Sequence, residues 1–234
     1  NVDSKEYERI TPEILEPYLN DDVALVTFQV LQYRSGALNP IREITALAKK
    51  YGVLTVWDAS HAAGSVHLDF EKNDIDLAVG CSYKYLSSGT GSPAYLYVKK
   101  SLQKQLQVPI QGWFAQKDQF EMGPKFIKSE NITGFQIASP SIIGLRCVNV
   151  AIDMIYRAGM NSIVDKAQKG TEIIIAFYDE WLEQMGFRLM TPREKAKRGG
   201  HISLMHESAR NISVALRNYE NTIFDFREPN QIRI

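Results

Sequence analysis

Apolar positions in this chain come in short dense blocks, separated by stretches with helical spacing. Residues 23–30 (VALVTFQV), 53–58 (VLTVWD) and 76–82 (DLAVGCS) are nearly continuous apolar runs rich in β-branched and aromatic side chains, the pattern of strands in a sheet covered on both faces. Between the first two lie a loop, YRSGALNP, and the segment IREITALAKKY. Asn39 as cap and Pro40 in the first turn open a helix there, and Gly52 ends it. Strand, helix and strand within about 35 residues make a βαβ unit, so the first half reads as α/β with a largely parallel sheet.

Further along, AYLYV (94–98) is another strand and KSLQKQLQ a short helix. From Ile110 to Thr133 periodicity fades while Gly, Pro and aromatic residues accumulate, and irregular segments of that length often carry function. Ser141–Tyr156 reads as a long, mostly buried helix and Asn161–Met185 as a more amphipathic one. After Gly186 the pattern turns to short strands around one more helix: FRLMT, HISLMH, ARNISVALRNYE, TIFDF and QIRI. The expected division is a large α/β domain over 1–159 and a smaller α+β domain over 160–234. Neither repeats nor low-complexity segments interrupt it.

Composition narrows the class. Apolar residues make up 44% of the chain and charged residues 23%, an ordinary globular balance. The 27 Lys and Arg equal the 27 Asp and Glu, and the one basic run, REKAKR (193–198), reads as a solvated loop. Neither nucleic acid nor an anionic membrane is an expected partner. Cys81 and Cys147, the two cysteines, both lie in apolar stretches and read as reduced core thiols in a cytoplasmic protein. The apolar runs are too short to span a membrane. The first residues, NVDSKEYERI, have neither an apolar leader core nor an initiator Met, which suggests a chain cut from something longer.

Candidate chemistry gathers where strands end, the place at which open α/β sheets bind ligands. Asp58 closes an apolar strand and is followed by ASHAAG, whose small residues allow close backbone approach. It is either a turn cap or a carboxylate that needs a cationic or hydrogen-bonding partner. His61 is either structural or part of the same pocket. Lys84 stands between two tyrosines in CSYKYLSSGTGSP. Its head either reaches water over a packed stem or sits in an apolar pocket, where desolvation makes an amine available as nucleophile or base. A lysine and an aspartate at neighbouring strand ends supply what pyridoxal phosphate requires: an amine for its aldehyde and a carboxylate that keeps the pyridine nitrogen protonated. The SSGTG stretch offers hydroxyls for a phosphate, or a simple turn-rich connection. The reading assigns no metal.

VWDASHAAG (56–64) followed by DLAVGCSYKYLSSGTGSPAYLYV (76–98) resembles the cofactor-lysine region of the kynureninases, pyridoxal phosphate enzymes of the aspartate aminotransferase (fold type I) superfamily. QGWF (111–114), GFQIASPS (134–141), RGGHISLMH (198–206) and PNQIRI (229–234) resemble the same family in the same order. The resemblance implies a three-layer α/β fold, pyridoxal phosphate as cofactor, and hydrolysis of kynurenine or 3-hydroxykynurenine to anthranilate or 3-hydroxyanthranilate and alanine. It also implies a homodimer with shared active sites. Residue by residue, it implies Lys84 as the Schiff-base lysine and proton shuttle, Asp58 on the pyridinium nitrogen, and His61 beside the cofactor. Tyr83 would bond the phosphate and assist proton transfer. Trp113 and Ser139 would complete the phosphate site from the neighbouring subunit, and Arg233 would hold the substrate α-carboxylate. Two positions depart from the family: Ser139 stands at a usual Asn or Thr, and Gln29 at a usual Ser or Thr near the cofactor. The family's earlier segment, with its first phosphate loop and the aromatic that stacks on the cofactor, lies outside this sequence. Cysteine desulfurases share the lysine and aspartate but need a reactive cysteine on a mobile loop, a placement neither Cys81 nor Cys147 offers.

Overall fold

Two four-stranded sheets organise the chain, seen in a computed structural model that describes residues 9–234. The first eight residues, on which the expectation about a leader mostly rests, lie outside the described residues. A short helix α1 (Pro12–Leu15) precedes β1 (Leu25–Gln29). Helix α2 (Ile41–Lys50) then crosses over to β2 (Leu54–Asp58), and β3 (Leu77–Gly80) follows. These three strands are parallel, and β4 (Tyr95–Val98) closes the sheet antiparallel to β3. The register aligns Phe28, Trp57, Ala78 and Tyr97 in one row, and Gln29, Asp58, Val79 and Leu96 in the next.

The first row packs into the main core with Ile44 and Ala48 of α2. Trp57 is fully buried and its indole N–H donates to Thr45 Oγ1 at 3.1 Å. Thr45→Val keeps the shape but orphans that donor, so the expected cost is about 1–3 kcal/mol, read as a lower urea midpoint with an unchanged m-value.

The sequence predicts a sheet covered on both faces, and here the structure differs. Leu25, Val79 and Leu96 are 46%, 37% and 41% exposed, so among the described residues the second face is only partly covered. Helix α4 (Ile142–Ala158) tells the same story: its apolar residues suggest burial, yet Ile142, Ile143, Met154 and Tyr156 are exposed, and Gly144 and Ala151 are its buried positions. Hydrophobicity reports what a surface prefers to meet, not whether the chain in hand supplies it. Cys147, on α4, is likewise exposed and not a core thiol, while Cys81 is half-buried.

Helix α3 (Lys100–Gln103) and the irregular stretch after it lead to α4, and α5 (Met160–Phe177) runs on through a π-helical turn (Tyr178–Leu182). Strands β5 (Arg188–Leu189), β6 (Ser203–Met205), β7 (Asp225–Arg227) and β8 (Gln231–Arg233) pair antiparallel in the order β5-β6-β8-β7, with α6 (Ala209–Tyr219) between β6 and β7.

Two local expectations change. Asn39 does not cap α2: its Nδ2 donates to the Gln29 carbonyl at 2.7 Å and its Oδ1 accepts from the Ile10 N–H at 2.8 Å. The REKAKR run is not wholly solvated, because Arg198 is buried, with Nε donating to Thr171 Oγ1 and the other guanidinium nitrogens to Glu172 and the Arg193 carbonyl. That segment meets the YRSGALNP loop and joins the two halves: Leu38 N–H donates to the Lys197 carbonyl and Gly199 N–H to the Gly36 carbonyl, both at 2.9 Å. Gly36 has a positive φ of 72°, and a Cβ there would meet the His201 carbonyl at 2.6 Å, so the turn in this loop depends on a glycine.

Candidate active site

The loops after β2 and β3 form one unit at the carboxyl ends of the parallel strands. Ala59 N–H donates to the Val79 carbonyl at 2.8 Å and Cys81 N–H to Ser60 Oγ at 3.2 Å. Gly64, at φ 88°, lies so close to the next loop that a Cβ would stand 2.5 Å from the Tyr85 carbonyl. The small residues of ASHAAG thus bring one backbone against another, which fixes Asp58 and His61 relative to Lys84.

Asp58 Oδ1 accepts from Ser60 N–H at 2.8 Å, and its second oxygen has no hydrogen-bond partner among the described residues. Asp76, the other strand-edge carboxylate, is buried and accepts from both the N–H and the hydroxyl of Thr55. One carboxylate is consumed by structure and the other keeps capacity for a ligand. Gln29 lies beside Asp58 in the β1–β2 register, and its side-chain oxygen accepts from Tyr33 N–H at 3.0 Å.

An open pocket of about 400 Å³ brings His61 and Lys84 together with Tyr85, His201, Asp225 and Arg233, and Ile234 completes its wall. Lys84 is half-buried there. Arg233 NH1 donates to the Tyr33 carbonyl at 2.6 Å, and Nε donates to Asp225 Oδ2 at 2.7 Å. Asp225 and Arg233 are partners across β7 and β8. Three of the sequence-derived residues, His61, Lys84 and Arg233, therefore share one cavity although Arg233 comes from the second sheet.

The remaining ones are placed differently. Tyr83 is 49% exposed, with its ring centroid 5.7 Å from Lys84 Nζ. Its phenol is pushed up, first by electrostatic and hydrogen-bonding interaction with Cys81. Trp113, on a 3₁₀ turn (Trp113–Ala115), is exposed and packs edge-on against Phe114 at 4.6 Å, and Ser139 is also exposed. Neither lines this pocket. Of the SSGTG hydroxyls, that of Ser88 donates to the Ser82 carbonyl and bonds Ser92, which with Ser82 also reaches the carbonyls of Gly89 and Pro93, while Ser87 and Thr90 are exposed. Tyr85, His201 and Asp225 are pocket residues the sequence reading missed. The first two lie inside the quoted motifs SYKY and RGGHISLMH, whereas nothing in TIFDF distinguishes Asp225 from a surface strand residue.

Electrostatics at this pocket favour neutral imidazoles. Burial, then the charges of Lys84, Arg233 and Arg227, push His61 down to about 4 against the opposing pull of Asp58. Burial, Arg233 and His61 push His201 down to about 4, opposed by the Tyr33 carbonyl and Asp225. Between about 4 and 6.5 the unfolded chain binds protons that these folded imidazoles refuse, so stability falls as pH drops through that window. Asp74, Glu172 and Asp179, held low chiefly by hydrogen bonds from Lys49, Arg198 and Arg193, lose their contribution only at still lower pH, as it falls through their folded values. The expected result is a urea midpoint that already declines from pH 6.5 to 5, with a shallower decline in His201→Phe.

The donor set fits pyridoxal phosphate at its ring and aldehyde end: an amine, a carboxylate with free capacity and an imidazole, seated on close-packed small residues at strand ends. A parallel sheet with a ligand-ready crevice at its carboxyl edge and an antiparallel second sheet that closes the crevice is the architecture of the fold type I pyridoxal phosphate enzymes. Solved structures agree. The apo cysteine desulfurase of Thermococcus onnurineus superposes with a TM-score of 0.80 at 19% identity, covering 96% of this chain and 57% of that one. A C-DES mutant with glycine covalently linked to the PLP cofactor superposes with a TM-score of 0.80 at 17% identity, covering 95% and 58%.

The aminotransferase class-V family profile matches residues 1–223, and the chain belongs to that family. Among curated relatives, the kynureninase of Pseudomonas fluorescens is 33% identical over 223 residues, which is 95% of this chain and 53% of that protein. The chain spans about half the length of the curated kynureninases it matches.

Proposed function

We propose that this chain carries the lysine side of a kynureninase active site, which hydrolyses L-kynurenine or its 3-hydroxy form to anthranilate or 3-hydroxyanthranilate and L-alanine. The observation that carries the reading is the convergence of Lys84, His61 and Arg233 in one cavity, next to Asp58, in a chain about one-third identical to curated kynureninases. The cofactor is pyridoxal phosphate, which when bound supplies an electron sink for the substrate's Cα. Lys84 is the amine that would hold the cofactor's aldehyde carbon, and it would move the Cα proton. Asp58 would accept from the pyridinium N–H, and His61, neutral at pH 7, would be a polar contact beside the ring.

Arg233 receives the α-carboxylate through a planar fork, sharing or exchanging its present partner Asp225. Water adds at the γ-carbonyl, the Cβ–Cγ bond breaks, and the aryl amino acid leaves before alanine. Tyr83, next to Lys84 and accessible, is the acid/base partner. Trp113 and Ser139 serve the phosphate of a neighbouring subunit in a homodimer, consistent with their exposure and distance from this pocket, and Gln29 supports the cofactor end through its place beside Asp58. The large cofactor-binding domain ends at residue 159, where Gly159 separates α4 from α5. The protein acts in the cytoplasm, and no helix of the described residues is long and apolar enough to cross a membrane.

Within this chain neither cysteine sits on a mobile loop as a desulfurase nucleophile would: Cys147 is fixed in α4 and the Cys81 backbone N–H is bonded to Ser60. The deciding experiment titrates the full-length protein with pyridoxal phosphate and follows anthranilate fluorescence on L-kynurenine. Cofactor uptake with anthranilate release supports the reading. Uptake with sulfide release from cysteine and no anthranilate sinks it.

A further inference from the structure

Strands β7 and β8 carry more charge to the pocket than Arg233 alone accounts for. Asp225 and Arg227, two residues apart on β7, share one face of the second sheet, and Arg233 stands opposite Asp225 on β8. Asp225 Oδ2 accepts from Arg227 NH2 at 2.9 Å and from Arg233 Nε at 2.7 Å, and Arg233 NH2 donates to the same oxygen. Two guanidinium groups thus converge on one carboxylate, and that carboxylate belongs to a residue of the pocket wall. The two cations are held differently. Arg233 is also fixed by the Tyr33 carbonyl, whereas Arg227 is half-exposed, makes no other side-chain hydrogen bond among the described residues, and keeps a buried Nε without a partner. Its charge still reaches the cavity, where it joins Lys84 and Arg233 in opposing protonation of His61. Two cations and one anion leave the trio one positive charge in excess. A ligand carboxylate on Arg233 balances that excess, and Asp225 then keeps Arg227 occupied.

We infer that Asp225 is a specificity residue: by masking Arg227 it makes the Arg233 subsite accept amino acids with one carboxylate and reject dicarboxylic ones such as L-aspartate. A second ligand carboxylate meets Asp225 in place of a free cation, and a like charge there costs affinity. Removing the Asp225 carboxylate leaves Arg227 and Arg233 around a space that has just held a carboxylate, so the side-chain carboxylate of L-aspartate takes it over. This rests on the assignment of Arg233 to the α-carboxylate made above.

The test uses the full-length holoenzyme with L-alanine and L-aspartate as probes, binding being read by the cofactor's absorbance. The wild type is expected to favour L-alanine, and equal affinity for the two overturns the inference. Asp225→Ala shifts the ratio of affinities toward L-aspartate by about tenfold or more, the worth of one hydrogen bond to a charged group. Asp225→Asn, which keeps the shape and removes the charge, shifts it in the same direction. Arg227→Met added to Asp225→Ala returns the ratio to its wild-type value. A role of Asp225 confined to steadying Arg233 predicts equal losses for both probes, since each carries an α-carboxylate. An unchanged ratio in Asp225→Ala therefore overturns the inference, as does a gain that survives Arg227→Met. Should Asp225→Ala melt too early to be assayed, the same ratio in Asp225→Asn decides. Undiminished L-alanine affinity in Arg233→Met refutes the assignment of Arg233 and the inference with it, whereas a loss there beside an unchanged ratio in Asp225→Ala overturns the inference alone. A wild type that binds L-alanine but releases no anthranilate refutes only the kynureninase reading, because the comparison of the two probes still stands.

Discussion

Lys84→Ala in the full-length protein is expected to eliminate anthranilate release and the cofactor's bound visible absorbance together. Positioned general acid–base groups alone contribute about 10²–10⁴-fold in rate, and Lys84 is also the one amine in the pocket that can hold an aldehyde. No neighbour can replace it: Arg233 is engaged by Asp225 and Tyr33 and carries a guanidinium, and His61 an imidazole, in place of a primary amine. The loss should therefore exceed the acid–base range, and added ethylamine should restore part of the proton transfer without restoring a tethered cofactor. Turnover within tenfold of the wild type would show that Lys84 is a packing residue whose head reaches water. Because Lys84 is half-buried and makes no hydrogen bond among the described residues, the melting temperature should move little, which separates chemistry from folding.

Gly64→Ala should damage both stability and function, without touching a reacting group. The residue adopts φ 88°, and its added Cβ would meet the Tyr85 carbonyl at 2.5 Å and the Leu86 nitrogen at 3.1 Å. Backbone strain of this kind costs about 1–3 kcal/mol, and overpacking against a second backbone adds about 1–3 kcal/mol. Relief requires the loop carrying Asp58 and His61 to part from the loop carrying Lys84. A displacement of about 1 Å between groups that must act together can cost about 10²-fold in rate. Gly52→Ala is the control, because Gly52 has φ 70° with nothing within 4 Å of a built Cβ. It should show the strain cost alone, in urea denaturation, with activity retained. Equal effects of the two substitutions would refute the close-approach role of Gly64.

How much of this was legible beforehand differs by element. The strands ending at Gln29, Asp58 and Gly80 follow from dense apolar runs, and α2 from helical spacing, because these local patterns have few competing solutions. The expected cap at Asn39 failed since a tertiary demand won: its amide links β1 to the segment at Ile10. The expected burial of α4 and of the second sheet face failed for a different reason. Sequence pattern states a preference for contact, and the described residues of this chain do not supply the partner surface. Arg198 shows the reverse case, a charged residue in a polar run whose burial depends on Thr171, Glu172 and a carbonyl brought from elsewhere.

The site divides in the same way. Asp58, His61 and Lys84 were readable because their loops follow successive parallel strands, and strand succession alone brings those loops to one edge. The SYKY motif with its flanking small residues made the lysine a candidate cofactor anchor, and the resemblance across the chain assigned the family that the profile match bears out. Only the tertiary structure could reveal that Arg233 and Asp225, from the antiparallel sheet, meet that edge, and that His201 lines the same cavity. Sequence by itself determined the local elements and the chemical parts. The union of the two sheets through the Gly36 and Gly199 backbones decided which parts face one another, because contacts between residues far apart in the chain depend on how surfaces pack and leave no periodic trace in either segment.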